Sequence, residues 1–153
     1  MSIDAIAEST AASMSEGQMR ELLEAEGVGT LGLPTGDLPY LIPVSFGFDG
    51  DATLYFVFLL FGTESRKETL VSEAGRGRFL VYRADSMYDW QSVSVTGPIT
   101  AVEEGEWDEL RSAMENAWHP NVFSSAHPMR GVRGYRFEID EWTGLQQRDT
   151  GGN

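Results

Sequence analysis

The chain has no cysteine among its 153 residues, which excludes a disulfide framework and thiolate chemistry. It also lacks any apolar run near the roughly 18 residues that a membrane-spanning helix needs. Its longest apolar run, from Leu54 to Phe61, has the length of a strand. Residues 1–14 have neither the basic region nor the apolar region of a secretory signal peptide. These absences predict a cytoplasmic protein without membrane association.

Positive charge is scarce as well, because 11 Lys and Arg residues stand against 24 Asp and Glu residues and give a formal net charge of −13. Such a surface repels nucleic acid and anionic lipid, so we expect neither as a partner. Lys67 is the only lysine, and all the other basic residues are arginines. An acid-rich, lysine-poor surface suits a protein that stays soluble in concentrated salt, which favours a halophilic source.

The length and the 41% of hydrophobic residues suffice for one domain with its own core. The first residues are small, polar and acidic, and they predict a flexible tail over residues 1–14. The domain is expected over residues 15–147, followed by a second flexible tail over residues 148–153.

Short strands joined by turns dominate the pattern. Ser15 and Gln18 have the spacing of a capping box and open a predicted helix that ends near Glu26. The predicted strands are Val28–Leu33, Tyr40–Phe48, Thr53–Leu60, Arg78–Tyr82, Gln91–Val102, with a bend at Gly97 and Pro98, and a last strand Val132–Ile139. A short helix through Ala74, a loop at Ala84–Tyr88 and a helix over Glu104–Trp118 separate them. This order predicts a mainly β protein with flanking helices, built as a small antiparallel barrel.

Ser65, Arg66 and Lys67 form the sharpest chemical motif. A serine at a helix start offers its hydroxyl and the first N–H groups of the helix to an anion, and the helix dipole adds positive potential. Arginine grips two phosphate oxygens at once, and lysine adds a compact charge. The alternative is a solvated basic pair that Glu64 and Glu68 neutralise.

The context of this motif resembles a known family. Residues 39–46 (PYLIPVSF), a hairpin, residues 54–58 (LYFVF) and then Ser65-Arg66-Lys67 follow one another. Residues 90–97 (WQSVSVTG) and the ending from Gly134 to Gly144 come later. This succession over about residues 15–147 resembles the flavin-binding split β-barrel of the pyridoxamine 5'-phosphate oxidase-like superfamily.

The resemblance implies a homodimer with FMN at its two-fold interface. The second strand, here residues 42–45, runs beside the isoalloxazine and offers it backbone groups, and the third strand lies close by. The serine-arginine-lysine element holds the phosphate, Gln91 reaches the flavin ring, and Trp142 is the candidate aromatic residue that covers the site from the other subunit. The residues so assigned to the cofactor are Ile42, Pro43, Val44, Ser45, Phe56, Phe58, Ser65, Arg66, Lys67, Gln91 and Trp142.

The chain also departs from the family pattern. Leu41 stands where many of these oxidases carry an arginine, and the C-terminal arginine and histidine that bind a pyridoxal-type phosphate are not recognisable. Vitamin B6 is therefore not the expected substrate. No side chain stands out as a general acid or base, so the expectation is an FMN-dependent oxidoreductase for an unidentified small molecule, with no catalytic residue named.

Three alternatives remain open from the sequence. The first is a non-catalytic flavin-binding module with the same site residues. The second is a haem-binding relative of the same fold, for which only His119 or His127 could serve as axial histidine. The third is a deazaflavin-using relative, whose longer phosphorylated tail asks for more cations. Two histidines in a proline-containing loop are too few for a metal site, and none is predicted.

Overall fold

The computed structural model describes residues 11–59, 66–114 and 132–148. The strands are β1 (Ala12–Ser13), β2 (Val28–Leu33), β3 (Tyr40–Phe48), β4 (Thr53–Leu59), β5 (Arg76–Ser86), β6 (Asp89–Ala101), β7 (Val132–Glu138) and β8 (Glu141–Gln147). The helices are α1 (Glu16–Ala25), α2 (Arg66–Ala74), a single 3-10 turn (Glu104–Glu106) and α3 (Trp107–Ala113).

Six strands close into an antiparallel barrel in the order β2, β3, β4, β7, β6, β5 and back to β2. Closure pairs most of the sheet edges that these strands would otherwise expose. The predicted fold class, a mainly β split barrel with flanking helices, is confirmed.

One edge of β6 pairs with β5, and its other edge is shared by two strands, β8 and β7, which splits the barrel. Its first part, Trp90–Thr96, pairs with β8, and its last part, Ile99–Ala101, pairs with β7. The exchange of partners falls at Gly97 and Pro98, where the sequence predicted a bend. Gly97 is required there, because a Cβ atom would lie 1.9 Å from the carbonyl oxygen of Glu138.

The prediction that the strand ending near Ile139 is the last one was wrong, because β8 follows and pairs with β6 over seven residues. Its inward positions are Trp142, Gly144 and Gln146, an unusual set for a buried face. A strand whose inward residues are glycine and glutamine lacks the alternation by which strands are recognised.

A few residues that the sequence assigned to the two tails contact the domain. Ala12 and Ser13 form β1 against Gln146 and Leu145 of β8, and Met14 is buried in the core. At the other end Arg148 pairs with Asp89 at 3.4 Å. Residues 1–10 and 149–153 lie outside the described residues.

Aromatic side chains fill the barrel. Phe56 and Phe79 stack with ring centroids 6.0 Å apart, and Phe46 meets Phe79 edge-on at 5.1 Å. All three are at most 1% exposed. α1 closes one end with its buried face of Met19, Leu22 and Leu23.

One predicted helix start is confirmed, whereas the β5–β6 hairpin and the last predicted helix differ from the expectation. The predicted capping box is confirmed, since Ser15 Oγ accepts from the Gln18 N–H at 3.2 Å and Gln18 Oε1 accepts from the Ser15 N–H at 2.9 Å. The hairpin of β5 and β6 is longer than predicted and takes in residues 84–86 of the expected loop, with a register shift between Ala84 and Ser86. The expected helix over residues 104–118 begins as a 3-10 turn, and its part beyond residue 114 lies outside the described residues.

Candidate functional site

β3 leaves part of its backbone without a strand partner. Its ladder with β4 consists of Phe46 with Phe56, Gly47 with Tyr55 and Phe48 with Leu54. β4 continues beyond Phe56 along β7, while β3 runs back to Tyr40 along β2. The ladder of the two strands therefore ends at Phe46, and we call the space beside Leu41–Ser45 on the side of β4 the cleft.

The orientation of the β3 backbone follows from one hydrogen bond. The N–H of Phe46 donates to the carbonyl oxygen of Gly27 at 3.0 Å, on the β2 side. Successive residues of a strand point their backbone groups to opposite edges, so those of Leu41, Pro43 and Ser45 point towards the cleft. No ladder within the described part of the chain pairs with these three residues on that edge.

Pro43 agrees with this arrangement. Proline has no N–H to donate, so within sheets it occurs where a ladder hydrogen bond is not needed. Its nitrogen lies on the open edge, and its carbonyl oxygen remains there as an acceptor.

Of the predicted β3 residues, Ile42 and Val44 are 8% and 7% exposed and belong to the core. Their side chains point into the barrel, while Pro43 and Ser45 face outwards. Phe56 is fully buried as well. A ligand in the cleft therefore meets the backbone of these strands and the outward residues, and the buried side chains shape the wall from behind. The side chain of Phe58 lies outside the described residues.

The serine-arginine-lysine motif stands at the beginning of α2. Arg66 and Lys67 are its first two residues, so the helix that the sequence predicted at the motif is confirmed. Leu70 and Val71 are buried and fix the helix on the barrel. Ser65 and the side chains of Arg66 and Lys67 lie outside the described residues, so their role in binding phosphate stays a prediction.

Gln91 points into the molecule. Its amide donates to Gln146 Oε1 at 3.1 Å, and the amide of Gln146 donates to Gln18 Oε1 at 3.1 Å. This chain of amides ties β6 and β8 to the start of α1. Ser92 and Ser94 of β6 face outwards, where strand alternation with the buried Val93 places them, although the sequence analysis did not single them out.

Trp142 is engaged within its own chain. Its ring meets Phe48 edge-on at 6.5 Å, and the guanidinium of Arg20 lies 5.2 Å from the ring centroid. These contacts hold the half-buried tryptophan against the core. That it covers a site of a second subunit stays a prediction.

Outward residues of β2, β3, β5, β6 and β8 form a continuous surface, which we call the outer face. Strand registers place one residue of each strand in a row across the sheet, in the order Pro43, Thr30, Leu80, Ser94 and Thr143. The ten residues of the outer face are Val28, Thr30, Pro43, Ser45, Leu80, Tyr82, Ser92, Ser94, Thr143 and Leu145. None of them is charged, and Val28, Leu80, Tyr82 and Leu145 are 44%, 36%, 62% and 43% exposed.

Charges begin at one border of this face, with Arg78 and Glu141. Nearby, Arg76 donates to both carboxylate oxygens of Asp140, at 2.8 and 3.3 Å. The hydrogen bond from Arg76 lowers the pKa of Asp140, and the same bond raises the pKa of Arg76. A second pair links Arg136 to Glu106, where the hydrogen bond from Arg136 lowers the pKa of the carboxyl.

No cluster of three potential metal ligands occurs among residues 11–59, 66–114 and 132–148. His119 and His127, the candidates for a haem ligand, lie outside these ranges. No helix in the same ranges is long and apolar enough to cross a membrane.

Comparison with known proteins gives one family and many similar structures. The family model described as pyridoxamine 5'-phosphate oxidase matches residues 15–146. None of the curated proteins matches the chain in sequence.

Three similar structures illustrate the range. A FAD-binding protein from Mesorhizobium loti has 20% sequence identity and a TM-score of 0.70, and the match covers 89% of this chain and 97% of that one. A FAD-binding protein from Mycobacterium smegmatis has 18% identity and a TM-score of 0.67, over 90% and 99% of the two chains. A FAD- and haem-binding protein from the same organism has 14% identity and a TM-score of 0.70, over 94% and 76%.

Proposed function

Because the chain belongs to the pyridoxamine 5'-phosphate oxidase family, we propose that it is a homodimeric, FMN-dependent oxidoreductase for a small molecule. The observation that carries the proposal is the open edge of β3, where Leu41, Pro43 and Ser45 direct backbone donors and acceptors into the cleft beside β4.

The backbone groups along the open edge of β3 support the binding of a flavin ring system there. The polar edge of an isoalloxazine carries carbonyl oxygens and ring nitrogens, and these need the N–H and C=O groups that the edge of β3 offers. The outer face next to it carries no charge and supports contact with flat apolar rings. When bound, the flavin supplies the hydride or electron transfer, and the protein orients it and adjusts its electronics through these hydrogen bonds.

The phosphate is assigned to the start of α2. The first-turn N–H groups of a helix and its dipole favour a dianion, and Arg66 and Lys67 stand at that position. In a chain of net charge −13, an anionic cofactor needs such a local concentration of positive charge.

The outer face supports the dimer. Two copies that each carry −13 repel one another unless they meet through a surface without charge, and the outer face is such a surface. It also exposes four large apolar side chains, which a second copy would remove from water. Pro43 and Ser45 belong to both the outer face and the open edge, so the cofactor would lie at the subunit interface.

Calorimetric titration with FMN tests the cofactor assignment. The double substitution Arg66→Ala and Lys67→Ala removes two charge-assisted contacts and should weaken binding by about 3–6 kcal/mol. The matched control is Arg83→Ala with Arg148→Ala, which removes the same charge from arginines that pair with Glu26 and Asp89. If the wild type and the variant with Arg66→Ala and Lys67→Ala bound FMN with equal affinity, the assignment would be contradicted.

The nature of the flavin and the activity need separate measurements. Titration of the same protein with FAD decides between the two flavins, since three of the similar structures are of FAD-binding proteins. Reduction of the bound flavin by NADH or NADPH, followed by reoxidation with small electrophiles, tests catalysis. A protein that binds flavin tightly but transfers no electrons from either donor would be a flavin-binding module, and the oxidoreductase assignment would fail.

A further inference from the structure

A groove of about 620 Å³ lies at the charged border of the outer face. The border residues form a second row across the strands, in the order Leu41, Gly32, Arg78, Thr96 and Glu141. Pro34 and Pro39, from the β2–β3 connection, complete the apolar wall.

Gly32 lines the groove beneath the side chain of Leu41. A Cβ atom on Gly32 would lie 3.3 Å from Leu41 Cδ2, so the absence of a side chain lets Leu41 lie close to the backbone. The side chain of Leu41 is 65% exposed. The part of the groove next to β3 is therefore flat and apolar, which suits a planar ring rather than a branched or hydrated group.

The two arginines of the groove differ in their partners. Arg76 is neutralised by its two hydrogen bonds to Asp140, at 2.8 and 3.3 Å. Arg78 donates to the hydroxyl oxygen of Ser94 at 3.3 Å, and it forms no ion pair with a carboxylate anywhere in the described ranges. Arg78 therefore brings into the groove a positive charge that forms no ion pair with a carboxylate of these ranges.

We propose that this groove binds a planar, apolar monoanion, namely an aromatic carboxylate. The ring would lie between Leu41 and the prolines, next to Gly32. The carboxylate would accept two hydrogen bonds from the parallel N–H groups of Arg78. The volume lies within the range of small-molecule sites, and apolar walls with one oriented cation are their usual composition. Glu141, at the far side of Thr96, disfavours a second negative charge. The proposal goes beyond the flavin assignment and does not require it, because every group that it uses belongs to this chain.

Calorimetric titration of the full chain without flavin, with 2-naphthoate as the probe, tests the proposal. Arg78→Gln should weaken naphthoate binding about tenfold or more, because a charge-assisted pair is lost. Arg78→Lys should recover only part of the affinity, since lysine cannot form two parallel hydrogen bonds. The matched control Arg83→Gln, on the same strand but paired with Glu26, should leave the affinity unchanged.

A neutral probe separates charge recognition from apolar contact. 2-Naphthalenemethanol has the same ring without the carboxylate, so it should bind the wild type more weakly than naphthoate and respond little to Arg78→Gln. Absence of naphthoate binding at millimolar concentration, or equal binding by wild type and Arg78→Gln, would overturn the proposal. FMN titration of the wild type keeps the two assignments apart: a wild type that binds flavin but not naphthoate overturns only the groove, and one that binds naphthoate but not flavin overturns only the flavin assignment.

Discussion

At the scale of single residues, Asp140 has the ion pair whose consequence is easiest to measure. It accepts two hydrogen bonds from Arg76 and a third from the Thr96 hydroxyl at 3.2 Å. The hydrogen bond from Arg76 lowers the pKa of Asp140 in the folded protein below the ordinary value near 3.9. The pair therefore joins the start of β5 to the turn between β7 and β8 most strongly when the carboxylate is ionised.

The sign of the pH effect follows from that direction. A carboxyl with a lowered folded pKa contributes stability above its unfolded pKa and loses it as the pH falls through the folded value. We expect Asp140→Asn to be less stable than the wild type at pH 6 and the difference to shrink below about pH 4. Urea unfolding of both proteins at several pH values measures this difference.

Asp85→Asn is the matched control, because Asp85 is exposed on β5 and makes no ion pair with any described residue. It should change stability little at either pH. A difference between Asp140→Asn and wild type that is constant from pH 6 to pH 3 would show that the ion pair is not its cause.

At the scale of the elements, the exchange of partners within β6 depends on Gly97. The backbone of β6 passes so close to Glu138 at this point that a Cβ atom has no space. We expect Gly97→Ala to lower the free energy of unfolding by about 1–3 kcal/mol or more, because the strand must shift to admit the methyl group. Chemical denaturation gives the value directly.

Gly105→Ala provides the comparison for this substitution. Gly105 lies in the 3-10 turn, and a Cβ atom there has no neighbour within 4 Å. Its replacement should leave stability nearly unchanged or raise it slightly through the unfolded state. If both alanine variants unfolded at the same denaturant concentration, the close approach at Gly97 would not limit the fold.

At the scale of the whole molecule, the proposed dimer depends on the outer face. If a second copy covers it, a carboxylate at its centre is desolvated without a partner, and Leu80→Glu should weaken association by about 2–5 kcal/mol. Light scattering over a range of concentrations measures the change in mass.

Leu38→Glu is the corresponding control. Leu38 is 77% exposed, but it lies in the connection between β2 and β3 and outside the outer face. The same change of charge there should leave the dimer intact. A monomeric wild type, or equal dissociation by both variants, would rule out the outer face as the interface.

Local patterns were enough to predict much of the fold. The capping box at Ser15, the strands before and after the turn at Asp49, and the buried aromatic run of β4 were all correct. Each depends on neighbours within a few residues, whose periodicity and turn chemistry the sequence contains. The sequence also predicted the helix start at Arg66, although the side chains that would hold phosphate lie outside the described residues.

Other features depend on contacts between distant residues. The interior of β8 is recognisable only from its partners, since Gly144 is buried against Met14 and Met19, and Gln146 finds its hydrogen bonds on Gln18 and Gln91. The same network turns the Gln91 amide inwards. Neither fact follows from composition, because a buried glutamine is stable only where other chain segments supply its partners.

The sequence alone determined most of the strands along the chain, the acidic composition, the family and the position of the basic motif at a helix start. These are local or additive properties. Only the tertiary structure decided where β3 leaves β4, which residues form the uncharged face, and which of two neighbouring arginines keeps its charge available. Each of these depends on pairing between strands far apart in the chain, and a strand pattern by itself does not specify its partners.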